Sequence, residues 1–387
     1  MKKWLLVVLF TCATSQAAEN EVKELSPGRL LLKSGEIAVG ISPAPAKIER
    51  VLIILHGRLR NAQTYLQSGE HAAELAGQSA TTLVIAPQFL NETDVAVHPV
   101  ADTVLRWQGN EWMAGGESTA PFRLSSYAAL DEIIARLGDR QQFPDVKQIV
   151  IAGHSGGAQV VQRYAVIGHD QPALEAAGVQ VRYVIANPSS YAYFDERRPV
   201  AFSHAGCPQF NRWKYGLADL PAYAEGQTPT QLQEKYLKRD IVYLLGQQDT
   251  DPNHSALDKS CEAKAQGPYR LARGRFYFDY LKRLQPQGLN QQLIEVPGVG
   301  HNGDGMFTSP EGQKASDQPT TSSSRQHLPQ LNTIRRMPIG QFRPRIIRQV
   351  HQHRARARRP SAIQIKAVIT DHHHLACRHL PRFGQFQ

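Results

Sequence analysis

A chain of 387 residues with 41% hydrophobic and 20% charged residues has an ordinary globular composition, enough for one large α/β domain or two smaller ones. Its formal net charge of +10 is unevenly placed: residues 315–387 hold 13 Lys+Arg against 2 Asp+Glu, so +10 less +11 leaves −1 for residues 1–314. A nearly neutral body excludes the argument from high charge to nucleic-acid binding.

The chain opens like an export signal. Lys2 and Lys3 precede a short apolar run from Trp4 to Phe10, and Ser15-Gln16-Ala17 supplies small residues for cleavage. This run is far shorter than the roughly 20 apolar residues of a membrane-spanning helix, so no span is expected. The expected division is a signal peptide over 1–17, one domain over 18–314 and a basic tail over 315–387. The mature chain is expected to be secreted or periplasmic. Cys12 leaves with the signal and Cys377 lies in the tail, so Cys207 and Cys261 are left as a pair that an oxidising compartment would join.

Six apolar runs then read as strands: Arg50–Leu55, Thr81–Ala86, Gln148–Ala152, Arg182–Ala186, Asp240–Leu245 and Gln292–Val296. Their apolar character is continuous rather than alternating, as in parallel strands covered on both faces. Between them, Tyr127, Leu130, Ile133, Ile134 and Leu137 recur at helical spacing behind Ser125 or Ser126 as N-cap, and Val160, Val161, Tyr164 and Ile167 repeat the pattern. Alternating strand and helix predicts an α/β fold with a doubly wound, mostly parallel sheet whose functional groups gather at the strands' carboxyl ends. Residues 88–123 and 189–235 break the alternation and read as lid-like insertions over that edge. From about Ala315 the chain turns rich in Arg, His, Gln and Pro, with poor periodicity, and is expected to be disordered.

The stretch Gly153-His154-Ser155-Gly156-Gly157 fits G-x-S-x-G between a strand and a helix. The sharp turn carries the serine in a strained conformation, and side chains two residues to either side would clash. A serine hydroxyl needs an adjacent base oriented by a third group to act as a nucleophile.

On these residues the sequence resembles the α/β-hydrolase family of serine esterases and lipases over roughly residues 48–312. The resemblance implies an acid after the second strand beyond the serine strand, where Leu245-Gly246-Gln247-Gln248-Asp249-Thr250-Asp251-Pro252 stands. Asp249 is the first choice there and Asp251 the second. It implies a histidine after the last strand, and Gly298-Val299-Gly300-His301 supplies His301. His56-Gly57-Arg58-Leu59 resembles the family's oxyanion turn, implying backbone donors from Gly156 and from Arg58 or Leu59. His56 itself is expected to brace that turn.

Trp107, Trp112 and His154 are further candidates for the substrate pocket, the tryptophans being equally readable as core anchors. Asp249–Ser260 begins like a calcium loop but has His254 and Ser260 where glycine and glutamate are needed. His372-His373-His374 has no fixed scaffold, so no metal is expected, and the triad chemistry needs no cofactor. The implied activity is hydrolysis of a small-molecule or polymeric carboxylic ester by a monomer. The other readings are a serine peptidase of the same fold and a non-catalytic module binding through the basic tail.

Overall fold

Alternate residues of each apolar run go to opposite faces of one sheet. Ile53 and Leu55 join a buried cluster with Ile149, Ile151, Ile185 and Tyr243, whereas Leu52 and Ile54 join another with Val150, Ala152, Val184 and Leu244. Burial on both faces is what makes these runs continuously apolar. The computed structural model describes residues 21–317. The expected signal segment, the triple histidine and all of the tail beyond residue 317 therefore lie outside the described residues.

The main sheet has eight strands: β1 Gly28–Leu32, β2 Gly35–Ile41, β3 Arg50–Leu55, β4 Thr82–Gln88, β5 Gln148–His154, β6 Gln180–Ala186, β7 Asp240–Gly246 and β8 Gln291–Val296. Their order across the sheet is β1-β2-β4-β3-β5-β6-β7-β8. The pairs β1–β2 and β2–β4 are antiparallel and the others parallel. The six strands read from the sequence are β3 to β8; the opening hairpin was not among them, because β1 is only half covered and lacks a two-sided apolar run.

Helices close both faces. Ala62–Leu75 and Pro310–Asp317 pack on the face of Leu52 and Ile54 through Ala62, Tyr65, Leu66 and Ala315. Ser126–Leu137, Gly156–Ile167 and Arg270–Leu284 cover the other face through Leu130, Val160 and Tyr277. Ser125 caps the first of these, its side chain accepting from the Tyr127 N–H. The first insertion carries a small sheet of Leu90–Asn91, Arg106–Trp107 and Ser118–Ala120. The second is largely irregular, and a disulfide joins its Cys207 to Cys261 at the start of a short helix after β7.

The last helix crosses the composition break at 315. Its final carbonyls face buried guanidiniums: Arg182 Nη1 donates to Ala315 O and Arg50 Nη2 to Ser316 O, both at 3.2 Å, and Arg50 pairs with Asp317 at 2.8 Å. Cations at a helix C-terminus complement its dipole, which accounts for ordered helix beyond Lys314. Among the described residues no helix is long and apolar enough to cross a membrane.

Candidate active site

The ends of β3, β5, β7 and β8 converge. Ser155 follows β5 directly with φ 57° and ψ −115°, a conformation that side chains strongly disfavour. Glycine on either side permits it. A Cβ on Gly157 would fall 2.3 Å from the Leu55 carbonyl oxygen, and one on Gly153 would fall 2.4 Å from that of Gly157. Both clashes are with backbone, which cannot swing aside.

His301, in the loop after β8, sits between Ser155 and Asp249. The Ser155 hydroxyl donates to His301 Nε2 at 2.9 Å, and His301 Nδ1–H donates to Asp249 Oδ2 at 2.7 Å. That tautomer leaves Nε2 free to take the serine's proton. Asp249 is almost fully buried at the end of β7. Asp251 is exposed, and its carboxylate instead accepts the Asn253 N–H. Burial is the main influence lowering the His301 pKa; the hydrogen bond to Asp249 opposes it and the Arg270 charge adds to it. On balance these favour the neutral imidazole.

The Gly156 and Arg58 backbones come close to one another beside Ser155. Gly156 opens the helix, where first-turn N–H groups lack intrahelical partners. A Cβ on Gly156 would lie 3.1 Å from the Arg58 nitrogen and 2.8 Å from Met113 Sδ, so the β3 turn and the first insertion both press on this point. Leu59 projects outward, 69% exposed.

The β3 turn is fastened from beneath. His56 Nε2 accepts the Phe89 N–H and its Nδ1–H donates to Gly57 O at 2.9 Å, as a bracing role requires. Burial pushes the His56 pKa down to about 4, so the ring stays neutral. Arg60, at φ 55°, donates to Arg58 O and forms a buried ion pair with Asp94.

The remaining pocket candidates are all buried. Trp107 and Trp112 are completely buried and wall no open pocket. Trp107 donates to Gly116 O, while Trp112 stacks on Phe89 and meets the edge of His56, so both anchor the first insertion beneath the turn after β3. His154 is also buried: its Nδ1 pairs with the Tyr65 hydroxyl at 2.9 Å and its ring lies 4.5 Å from that of His301. It underlies the site instead of lining a pocket.

Sequence reasoning assigned no role in the site to four neighbours. Met113 Sδ approaches Gly156, and the His254 ring stands edge-on to His301 at 5.0 Å. Buried Arg163 ties the serine's helix to both insertions by donating to Met113 O, Ser190 Oγ and Lys214 O. Arg270, fully buried, pairs with the second oxygen of Asp249 at 3.3 Å. One signal was available for Arg270. A cation at the first position of a helix opposes the dipole and calls for a fixed anionic partner.

Together the fold and this geometry define a hydrolase of the α/β class. Residues 52–313 match the family model described as the alpha/beta hydrolase family, and the chain belongs to that family. No curated protein matches it. Among solved structures it is similar to poly(aspartic acid) hydrolase-1 from Sphingomonas sp. KT-1, at 23% identity and TM-score 0.52, over 75% of this chain and 97% of that one. It is also similar to LpqC, a poly(3-hydroxybutyrate) depolymerase from Bordetella parapertussis, at 23% identity and TM-score 0.51, over 71% of this chain and 84% of that one. At such identities these likenesses speak to the fold alone.

Proposed function

We propose that the protein is an exported serine hydrolase that cleaves carboxylic esters, small or polymeric, through an acyl-enzyme. The observation that carries this reading is the unbroken hydrogen-bonded chain from Ser155 Oγ through His301 to Asp249. Ser155 Oγ attacks the ester carbonyl while its proton passes to His301 Nε2, and Asp249 stabilises the imidazolium. The N–H groups of Gly156 and Arg58 donate to the developing oxyanion; losing one such donor costs about 2.7–4 kcal/mol. The bond to the leaving alcohol breaks as His301 returns its proton to that oxygen. Water then enters by the same route, releasing the acid and restoring the serine hydroxyl.

Export rests on the leader-like segment 1–17 and on the Cys207–Cys261 disulfide, a bond that persists in oxidising compartments. The test is covalent labelling. A serine-directed phosphonate should attach to the peptide containing Ser155 in the native protein and not in Ser155→Ala. Labelling of another residue, or none in the folded protein, would overturn the proposal.

A further inference from the structure

We propose that Arg270 is a positioning residue of the Ser155–His301–Asp249 arrangement, clamping the Asp249 carboxylate toward His301 and extending the enzyme's working range to more acid pH. The inference rests on the serine-hydrolase reading above. Its starting point is that both oxygens of one buried carboxylate are used, by opposite kinds of partner. Oδ2 receives His301 Nδ1–H at 2.7 Å, and Oδ1 receives Arg270 Nη1 at 3.3 Å.

The guanidinium is itself held. Arg270 Nε donates to Ser189 Oγ at 3.0 Å, and the Leu271 N–H of the same helix donates to the Asp249 backbone oxygen at 3.2 Å. Both ends of the acid are therefore tied to the start of helix Arg270–Leu284. A carboxylate bonded only through Oδ2 could rotate about its side-chain torsions; bonded at both oxygens it cannot turn without breaking a buried ion pair.

Arg270 also acts by charge. With arginine absent, His301 and Asp249 would form an isolated pair that favours the imidazolium even with no substrate bound. The groups facing His301 are the Asp249 anion, the Arg270 cation, the rings of His154 and His254, and the Ser155 hydroxyl. Asp249 alone draws a proton onto the ring, and Arg270 opposes it. Arg270 also feels the charges of Arg58, which repels it, and Asp251, which attracts it. Neither replaces the contact with Asp249. Burial of a cation at a helix start, against the dipole, is costly. An arginine kept there solely to fill space would be inferior to an apolar residue.

The test is the pH profile of kcat and kcat/KM for wild type, Arg270→Met, Arg270→Lys and Ser189→Ala on one p-nitrophenyl ester, with thermal unfolding measured on each. Arg270→Met should move the acid limb upward by about one unit. Its deficit should therefore be about tenfold on the acid side and shrink as pH rises. Arg270→Lys keeps the charge without the fork, so it should hold the wild-type limb with a lower kcat and an unchanged KM. Ser189→Ala should do the same more weakly. A deficit in Arg270→Met that is equal at every pH, with Tm lowered, would mean a merely structural arginine and overturn the proposal. If Arg270→Met does not fold, Arg270→Lys decides: wild-type kcat there overturns the clamp. Failure of the underlying reading looks different, since wild type itself would then form no acyl-enzyme.

Discussion

Replacing Asp94 by alanine should damage stability and activity through one physical cause. Asp94 is completely buried, and its two oxygens accept from four donors: Val22 N–H at 2.7 Å and Arg60 Nη2 at 3.0 Å on Oδ1, Arg60 Nε at 2.7 Å and Asn91 N–H at 2.8 Å on Oδ2. Its partner Arg60 is buried too and reaches Arg58 O at 3.0 Å, in the turn that supplies the proposed oxyanion donor. Removing one member of a buried ion pair leaves an uncompensated charge and costs about 3–5 kcal/mol. For a domain of this size that is a fall in Tm of roughly 6–20 °C. If the turn then relaxes, up to one oxyanion donor is lost, about 10²–10³ in kcat. Thermal unfolding and ester kinetics measure both. The double variant Asp94→Ala/Arg60→Met should regain part of the stability, since it no longer buries a cation lacking its carboxylate, while kcat stays low. A Tm within about 2 °C of wild type for Asp94→Ala, or a double variant no more stable than the single, would refute this reasoning.

Other outcomes follow from particular contacts. Gly157→Ala would place its Cβ 2.3 Å from the Leu55 oxygen and 2.6 Å from the His56 oxygen. It should cost about 1–3 kcal/mol by overpacking and about a hundredfold in kcat through displacement of Ser155, both readable on purified protein. Cys207→Ala/Cys261→Ala opens a link between residues 54 apart and should lower stability to denaturant by about 2–5 kcal/mol. Acid should also destabilise the fold. His56 has a folded pKa of about 4, below its ordinary 6.5, so the unfolded chain binds a proton there first. Its stabilising contribution is complete above pH 6.5 and is lost as pH falls toward 4, amounting to roughly 3 kcal/mol. Urea melts across that window should show less of this loss in a His56→Gln variant.

The sheet was legible because burial on two faces demands continuous apolar runs such as Ile149–Ala152, and no other common element of that length does. Ser155 was legible because its φ of 57° forces glycine nearby, leaving a local pattern. Asp249 and His301 had weaker local marks; the family resemblance supplied their order along the chain, and strand ends supplied their places. Beyond the mark of a cation at a helix start, Arg270 escaped because its contact with Asp249 spans 21 positions, and no spacing rule names that partner. The two readings of the tryptophans stayed open for a similar reason. A loop-borne indole can cap a pocket or fill the space under a turn, and only the presence of Phe89 and His56 around Trp112 decides it. The end of the domain was blurred because the carbonyls of Ala315 and Ser316 are held by Arg182 and Arg50, far away in sequence, and composition carries no trace of those bonds.

The most direct test of the central claim is pre-steady-state hydrolysis of a short p-nitrophenyl ester by native protein and by Ser155→Ala. An acyl-enzyme through Ser155 predicts a burst of p-nitrophenol approaching one equivalent, blocked by the phosphonate, when deacylation is the slower step. Turnover in Ser155→Ala should fall roughly a million-fold, with its melting curve unchanged. Turnover by a folded Ser155→Ala protein at anything near the native rate would contradict the assignment of the nucleophile and with it the proposed mechanism.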